Sequence, residues 1–582
     1  MKARDIAAAV QSGKKSAEHF AQEALARVTA YEAVQPEAWI SRFSAEHVLA
    51  MARAVDARVA MGEKLALAGV PFAVKDNIDV AGLPTTMACP GAAFAPERSA
   101  HVVDLLVKAG AIPLGKTNLD QFATGLVGVR SPYGAPQCVF NREFVSGGSS
   151  SGSAVATAAG LVAFALGTDT AGSGRVPAAI NHLIGLKPTK GRYSTSGVFP
   201  ACRSLDCVSV FARDVADAAL IDGVMNAFDA ADIYSRHAEQ AGKAGKTFRL
   251  GVPAKALDFF GDAESAALFE AAKARLKKLG AEIVAVDAEP LLTCANLLYA
   301  GPWVAERSAA MKGIDPAIVH PVVRGIVEGG KKFSAVEAFD GQYALKQYER
   351  AAQALWEEID VLLLPTAPTI FTIEAVRADP VALNSQLGRY TNFVNLLDMS
   401  ALALPAGFRK NATGFGITLI GPAWADDLLL ALGARYEENF PMADIPPLDT
   451  SPRAETVKLA VVGAHLQGMP LHHQLTSRNA RFVKACKSAA SYKLYAIANS
   501  TPPKPALVFA EGGSAIELEV YELDMAAFGS FTAEVPAPLA IGTVTLDDGS
   551  TVKGFVAEPR ALIGAEEITK FGGWRAFLAS QK

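Results

Sequence analysis

Two runs of serine and glycine, separated by a short apolar stretch, constrain this chain more than any other feature. Residues 145–153 read Val-Ser-Gly-Gly-Ser-Ser-Ser-Gly-Ser, and residues 167–175 read Gly-Thr-Asp-Thr-Ala-Gly-Ser-Gly-Arg. Glycine loses more backbone freedom on folding than any other residue, and a buried hydroxyl needs a hydrogen-bond partner. Such density therefore has to serve a site that uses bare backbone and hydroxyl groups. Residues 154–166, between the two runs, are small and apolar. They predict a buried helix that brings the two loops to one place.

The first run lacks the Gly-Lys-Ser/Thr ending that gives a phosphate loop its charge and its magnesium ligand. It leads into apolar sequence, unlike a flexible linker. Gly148-Ser149-Ser150-Ser151-Gly152 fits the Gly-x-Ser-x-Gly elbow of a Ser-His-Asp hydrolase, but polar Asn141-Arg142-Glu143 stands where a hydrophobic strand should lead into it. His182 follows Asn181 in an apolar stretch and reads as a hydrogen-bonded core residue rather than a triad base. What remains is a nucleophilic site whose unscreened N–H groups face a developing oxyanion.

Three motifs in order give the site a family. Gly69-Val70-Pro71-Phe72-Ala73-Val74-Lys75-Asp76, Gly147-Gly148-Ser149-Ser150 and Gly167-Thr168-Asp169-Thr170-Ala171-Gly172-Ser173 together resemble the amidase signature family, with Ala171 replacing a family glycine. The resemblance spans residues 1–440. It implies that Ser173 is the nucleophile, Ser149 a bridging serine and Lys75 the terminal base, with a cis peptide between Gly148 and Ser149. It also implies an oxyanion hole made by the N–H groups of Thr170, Ala171 and Gly172. A serine hydroxyl must be deprotonated as it attacks, and a lysine can accept that proton only if burial has lowered its pKa. The apolar run 70–74 reads as a strand that delivers Lys75 into an enclosed pocket.

The chain has 582 residues, more than one hydrophobic core supports. Residues up to about 56 read as amphipathic helices, and strands alternate with helices from about 65 to 205. This pattern predicts an α/β core with a mixed central sheet covered by helices. A helix-rich middle at 264–359 is followed by a strand at 361–365. Residues 440–452 hold four prolines, the composition of an extended linker, which we bound at 441–456. Beyond it, 457–582 reads as a smaller, mainly β domain with some helix.

Lys and Arg number 55 against 59 Asp and Glu, so there is no basic excess for nucleic acid. The opening residues lack a signal-peptide pattern and no apolar run reaches a membrane span, so a cytoplasmic protein is expected. Cys89, Cys138, Cys202, Cys207, Cys294 and Cys486 are scattered, and the adjacent His472 and His473 form no chelating face. No metal or cofactor is expected.

Within the family, the resemblance is to the allophanate hydrolases. Gly468-Met469-Pro470-Leu471-His472-His473-Gln474-Leu475 resembles their C-terminal domain, which has a γ-glutamyl cyclotransferase-like fold. Tyr299 and Arg307 resemble their clamp for a substrate carboxylate, and Gly125 a loop facing the nucleophile. The residues alone leave open a surface Arg307 tied to Glu306 or another acid, with Tyr299 in the core. The resemblance implies hydrolysis of allophanate (urea-1-carboxylate) to ammonia and carbon dioxide through N-carboxycarbamate, with allophanate supplied by a urea carboxylase or a biuret hydrolase. It also implies that His473 assists breakdown of the intermediate, although a turn cap is the alternative for that residue. A homodimer is expected. The competing function is a general amidase, or an A-type amidotransferase subunit, whose C-terminal part is a binding or dimerisation module.

Overall fold

Glycine-bounded apolar runs build the middle of an eleven-stranded sheet, seen in the computed structural model, which describes residues 2–239, 245–451 and 455–581. Its strands are β1 (Trp39–Arg42), β2 (Pro71–Lys75), β3 (Ile112–Thr117), β4 (Phe164–Asp169), β5 (Ile184–Lys187), β6 (Cys207–Ala212), β7 (Phe248–Pro253), β8 (Ala281–Val286), β9 (Val361–Pro365), β10 (Ser400–Phe408) and β11 (Gly414–Gly421). They lie in the order β1-β3-β2-β4-β6-β5-β10-β11-β9-β7-β8. The sheet is mixed: β3, β2 and β4 run parallel, as do β9, β7 and β8, and the pairs between these groups are antiparallel. Every residue of β2, β4, β9 and β11 is buried. Continuous apolar sequence of this kind marks strands covered on both faces.

The parallel trio positions the predicted site. Val74 of β2 sits opposite Leu166 of β4, and Lys75 opposite Thr117 of β3. The carboxyl ends of the strands therefore present Lys75, Thr117 and Thr168-Asp169 together, the end at which open α/β sheets build their sites.

Residues 154–166 do not form one helix. A wholly buried helix spans Ser151–Ala158, Gly160 turns the chain at φ +71°, and β4 begins at Phe164. A short apolar run has no period that separates helix from strand, and here pairing with β2 decides. The strands β1, β7, β8, β10 and β11 also lie outside the strands that the sequence pattern announces. β1 is four residues long, and β8 exposes Glu282 and Ile283, so neither shows a core strand's pattern. His182 is half-buried and stacks on Phe408 with ring centroids 4.7 Å apart. Its Nδ1 has no hydrogen-bond partner among the described residues, contrary to the expected hydrogen-bonded histidine, and burial lowers its pKa to about 4.

The chain divides into two compact units. The first comprises residues 1–131, 135–314 and 320–451, and the second comprises 132–134, 315–319 and 452–582. The proline-rich segment is no free tether throughout, because at Asp449 the N–H donates to the Val139 carbonyl (2.8 Å) and the carboxylate accepts from Arg142 N–H (3.2 Å). Linker residues 452–454 lie outside the described residues.

The second unit is mainly β. Its five-stranded sheet runs in the order Arg481–Lys487, Glu517–Asp524, Thr456–Val461, Thr551–Ala557, Leu539–Thr545, and a three-stranded sheet is centred on Tyr492–Ala496. Two short pieces from earlier in the chain join it. Tyr133 packs edge-on against Phe482 at 5.6 Å, and Gln467 Nε2 donates to the Ile318 carbonyl at 3.1 Å. No helix among the described residues is long and apolar enough to cross a membrane.

The stacked rings of Phe72 and Phe164, 5.1 Å apart between β2 and β4, support the strands that carry Lys75 and Thr168. Phe164→Ala should cost about 3–5 kcal/mol, as expected for a large buried aromatic. Thermal unfolding would register this as a lowered first transition, and an unchanged transition would refute it.

Candidate active site

Lys75 ends β2 fully buried, at 0% exposure. Its Nζ donates to Ser149 Oγ and to Thr168 Oγ1, both at 2.7 Å. Both partners are neutral hydroxyls. Burial pulls its pKa down to about 7, while the charges of Asp120, Asp206 and Asp169 push it up and that of Arg307 pushes it down. An amine in this state exchanges protons near neutral pH.

Most other serines of the first run serve the backbone. Ser150 Oγ bonds the Thr168 carbonyl (3.2 Å), Ser151 Oγ the Asn118 carbonyl (3.4 Å) and Ser153 Oγ the Leu166 carbonyl (2.8 Å). Ser149 differs in facing Lys75. Its carbonyl accepts from Asp120 N–H at 3.0 Å, and the Gly148–Ser149 peptide is cis. A Cβ on Gly148 would lie 2.2 Å from Asp120 Oδ2, so only glycine fits.

Ser173 is 3% exposed, in the turn after β4. Its Oγ donates to the Gly125 carbonyl at 3.4 Å rather than to Ser149. Gly125 has φ +155°, and a Cβ there would meet Asp120 Oδ2 at 2.5 Å. The turn is held from several sides. Asp169 takes N–H bonds from Gly172 (2.8 Å) and Gly174 (3.0 Å) and a two-pronged bond from Arg175 (2.9 and 3.0 Å). Burial works against its charge, but Arg175 holds the carboxyl below its usual range. Asn395 Nδ2 donates to the Asp169 carbonyl (2.7 Å), and Thr391 Oγ1 to the Ala171 carbonyl (2.7 Å). Of the three N–H groups expected to form an oxyanion hole, that of Gly172 is thus committed to Asp169. Those of Thr170 and Ala171 have no partner among the described residues.

Arg307 is 2% exposed, on the helix Trp303–Ala310. Its Nη1 donates to Thr124 Oγ1 (2.9 Å) and its Nη2 to the Tyr299 hydroxyl (3.3 Å), and its guanidinium carbon lies 5.2 Å from the Tyr299 ring centroid. Burial opposes its charge, yet Tyr299, Cys202, Asp206 and Glu306 hold its pKa above the usual arginine value. Glu306 is engaged elsewhere, accepting from Ser204, so the surface pairing with Arg307 does not form. Nε of Arg307 is buried without a partner among the described residues. Thr124, which receives Arg307, precedes the Gly125 that receives Ser173, so the cation and the hydroxyl adjoin.

His473 stands apart. It is exposed, opens the short helix His473–Thr476, and donates through Nδ1 to the Pro470 carbonyl at 2.9 Å, the geometry of a turn cap. In the same unit, His465 lines a cavity of about 160 Å³ with Gln474, Lys504 and Glu534. Its Nε2 donates to Gln474 Oε1 at 2.7 Å, its ring stacks on Phe555 at 5.0 Å, and burial lowers its pKa. Sequence reading passed over His465, and also Thr124, Thr168, Arg175, Thr391 and Asn395. Thr168 lies within the third motif, whereas Thr391 and Asn395 come from a segment with no chemical signature.

Comparison with known proteins gives the family. The Amidase family model matches residues 23–430, and that of the Allophanate hydrolase C-terminal domain matches residues 457–579. The chain is 46% identical over 576 residues to urea amidolyase of Saccharomyces cerevisiae, an alignment covering 94% of this chain and 31% of that protein. It thus spans about a third of that curated relative's length. It is 33% identical over 485 residues to the A-type subunit of glutamyl-tRNA(Gln) amidotransferase from Cyanothece sp., covering 76% of this chain and 99% of that one. The structure of Kluyveromyces lactis allophanate hydrolase superposes with a TM-score of 0.71 and 43% identity, covering 98% of both chains. With the two domain matches in sequence and a full-length likeness in structure, the chain belongs to the amidase signature family and carries an allophanate hydrolase C-terminal domain.

Proposed function

We propose that the protein hydrolyses allophanate at its terminal amide. Ser173 Oγ attacks the carbonyl carbon, and its proton passes through Ser149 to the neutral amine of Lys75. The N–H groups of Thr170 and Ala171 stabilise the oxyanion, worth about 3–4 kcal/mol per donor in comparable sites. Collapse of the tetrahedral intermediate breaks the C–N bond, and Lys75 returns the proton through Ser149 to the departing ammonia. Water, deprotonated along the same route, then releases the acyl group from Ser173 as N-carboxycarbamate. The observation that carries this reading is the dry amine of Lys75, hydrogen-bonded to Ser149 at 2.7 Å and holding its pKa at about 7.

Arg307 and Tyr299 select the substrate by its carboxylate, and the unpaired Nε of Arg307 supports that role. A planar guanidinium suits a carboxylate because two parallel bonds fix its orientation. The urea amidolyase relatives favour urea over biuret as the source of allophanate. The expected homodimer rests on an exposed apolar stripe of Val336, Phe339 and Tyr343 on helix Ala335–Glu358, and sedimentation as a monomer would refute it. For the second unit, we propose that breakdown of N-carboxycarbamate to carbamate and carbon dioxide is promoted in the cavity beside His465, not at the exposed His473. Lys504 there supplies a positive charge for one of the two carboxylates.

Ammonia release from allophanate, malonamide and glutamine tests the first step. The wild type should favour allophanate. Ser173→Ala should be inactive with the fold intact, and Lys75→Arg severely impaired, because arginine does not give up its proton. Arg307→Ala should lose about 2–5 kcal/mol of preference for allophanate over the uncharged amide. Activity in Ser173→Ala, near-normal turnover in Lys75→Arg or unaltered preference in Arg307→Ala would each contradict the assigned role. A preference for glutamine would favour the amidotransferase reading.

Carbon dioxide release separates the histidines. His465→Ala should slow it relative to the first ammonia, whereas His473→Ala should not. Equal rates in His465→Ala and wild type would leave the second unit without a catalytic part.

A further inference from the structure

Residues 201–206 join two parts of the site that the proposed reaction uses for different ends. At one end, Asp206 Oδ1 accepts a hydrogen bond from the Thr170 hydroxyl and another from Cys202 N–H at 3.2 Å. Its Oδ2 accepts from Ala201 N–H at 2.8 Å. At the other end, Ser204 donates its N–H and its hydroxyl to the two carboxylate oxygens of Glu306, both at 2.7 Å, and the Cys202 thiol donates to the Trp303 carbonyl at 3.6 Å. Glu306 and Trp303 belong to the helix Trp303–Ala310, which carries Arg307. Asp206 is buried, and no lysine, arginine or histidine forms an ion pair with it among the described residues.

A buried carboxylate without a paired cation is costly, and three donors converging on it mark a built position. Its one side-chain donor is Thr170, the residue whose N–H faces the nascent oxyanion in the proposed reaction. We propose that Asp206 is a positioning residue of the amide hydrolysis: through Thr170 it fixes the turn that carries the oxyanion donors, and through residues 201–206 it ties that turn to the helix bearing Arg307. The inference rests on the reading of Ser173 as nucleophile. Without the Thr170–Asp206 bond the donors lose their aim, while Arg307 still receives the substrate carboxylate. The loss therefore falls on kcat rather than on KM.

Electrostatics gives the proposal a second readout. Lys75 feels Asp120, Asp206 and Asp169, which raise its pKa, and Arg307, which lowers it. Burial lifts the Asp206 carboxyl to about 6, against the hydrogen bonds from Thr170, Cys202 and Ala201 and the charge of Arg307, so it is ionised at neutral pH. Removing its charge makes Lys75 easier to deprotonate. The acidic limb of the rate profile should then move to lower pH, a shift that lost packing does not produce.

The test measures kcat and KM for allophanate across pH in Asp206→Asn, Thr170→Val, Thr170→Ser and the double variant Asp206→Asn/Thr170→Val. Asp206→Asn and Thr170→Val should each lower kcat by about 10²-fold, with KM within about two-fold of wild type. The double variant should be no worse than either single change, because both act through one contact: Thr170→Val removes its donor and Asp206→Asn the charge of its acceptor. Thr170→Ser should recover most of the Thr170→Val loss, and Asp206→Asn alone should shift the acidic limb downward. Wild-type kcat in Asp206→Asn, losses that multiply in the double variant, or an unmoved limb would overturn the proposal. Should Asp206→Asn not fold, Thr170→Val against Thr170→Ser decides alone, and equal activity of those two would overturn it. Activity surviving in Ser173→Ala would instead refute the underlying reading.

Discussion

The site depends on an amine kept out of water and given hydroxyls, not carboxylates, for company. Lys75 Nζ has Ser149 and Thr168 at 2.7 Å, and the acidic groups that influence it, Asp120, Asp206 and Asp169, make no ion pair with it. Lys116, on the neighbouring strand β3, shows the alternative. It is equally buried, and burial lowers its pKa as well, but it has Asp76 at 3.4 Å, whose charge pushes the other way. Holding Lys75 at a pKa of about 7 instead of 10.5 costs the fold on the order of 4 kcal/mol at neutral pH. That cost is present below the unfolded value of 10.5 and stops growing as pH falls through about 7, where the folded lysine also takes up its proton. The parallel strands β2, β3 and β4, covered on both faces, supply the rigidity that keeps the amine dry.

Around this amine the fold commits its buried polar groups to the turn that bears Ser173. Asp169, Arg175, Thr391 and Asn395 hold it by side chains, and Gly125 and Gly148 let the 120–130 loop approach the serine loop with Asp120 between them. A turn held from so many sides presents its free N–H groups without reorganising during reaction, the condition under which such donors stabilise an oxyanion most. The commitment of Gly172 N–H to Asp169 limits that set to two donors.

Sequence disclosed what short motifs encode and missed what the topology brings in from afar. Lys75, Ser149 and Ser173 each sit in a run of glycine, serine or apolar residues whose composition makes sense only at a site. Arg307 and Tyr299 were visible through resemblance alone, and the bonds of Arg307 to Tyr299 and Thr124 bring them side by side. Thr391 and Asn395 lie 220 and 226 residues from the groups they hold, and nothing in their own neighbourhood reveals that. The helix expected at 154–166 split because strand pairing overrode a run without a clear period. In the second unit the resemblance pointed to His473, which is exposed, whereas His465 is the histidine that lines a cavity. Composition likewise gave no hint that residues 132–134 and 315–319 would join that unit.

Direct titration of Lys75 tests the central claim most sharply. Heteronuclear NMR of protein labelled at lysine, with Lys75→Arg identifying the resonance, would follow its side chain between pH 5 and 11. The account predicts a midpoint of about 7, with the amine neutral above it and therefore able to take the proton of Ser149. A midpoint near the ordinary lysine value of 10.5 would mean that Lys75 is an ammonium at working pH, and the proton route built on it would fall.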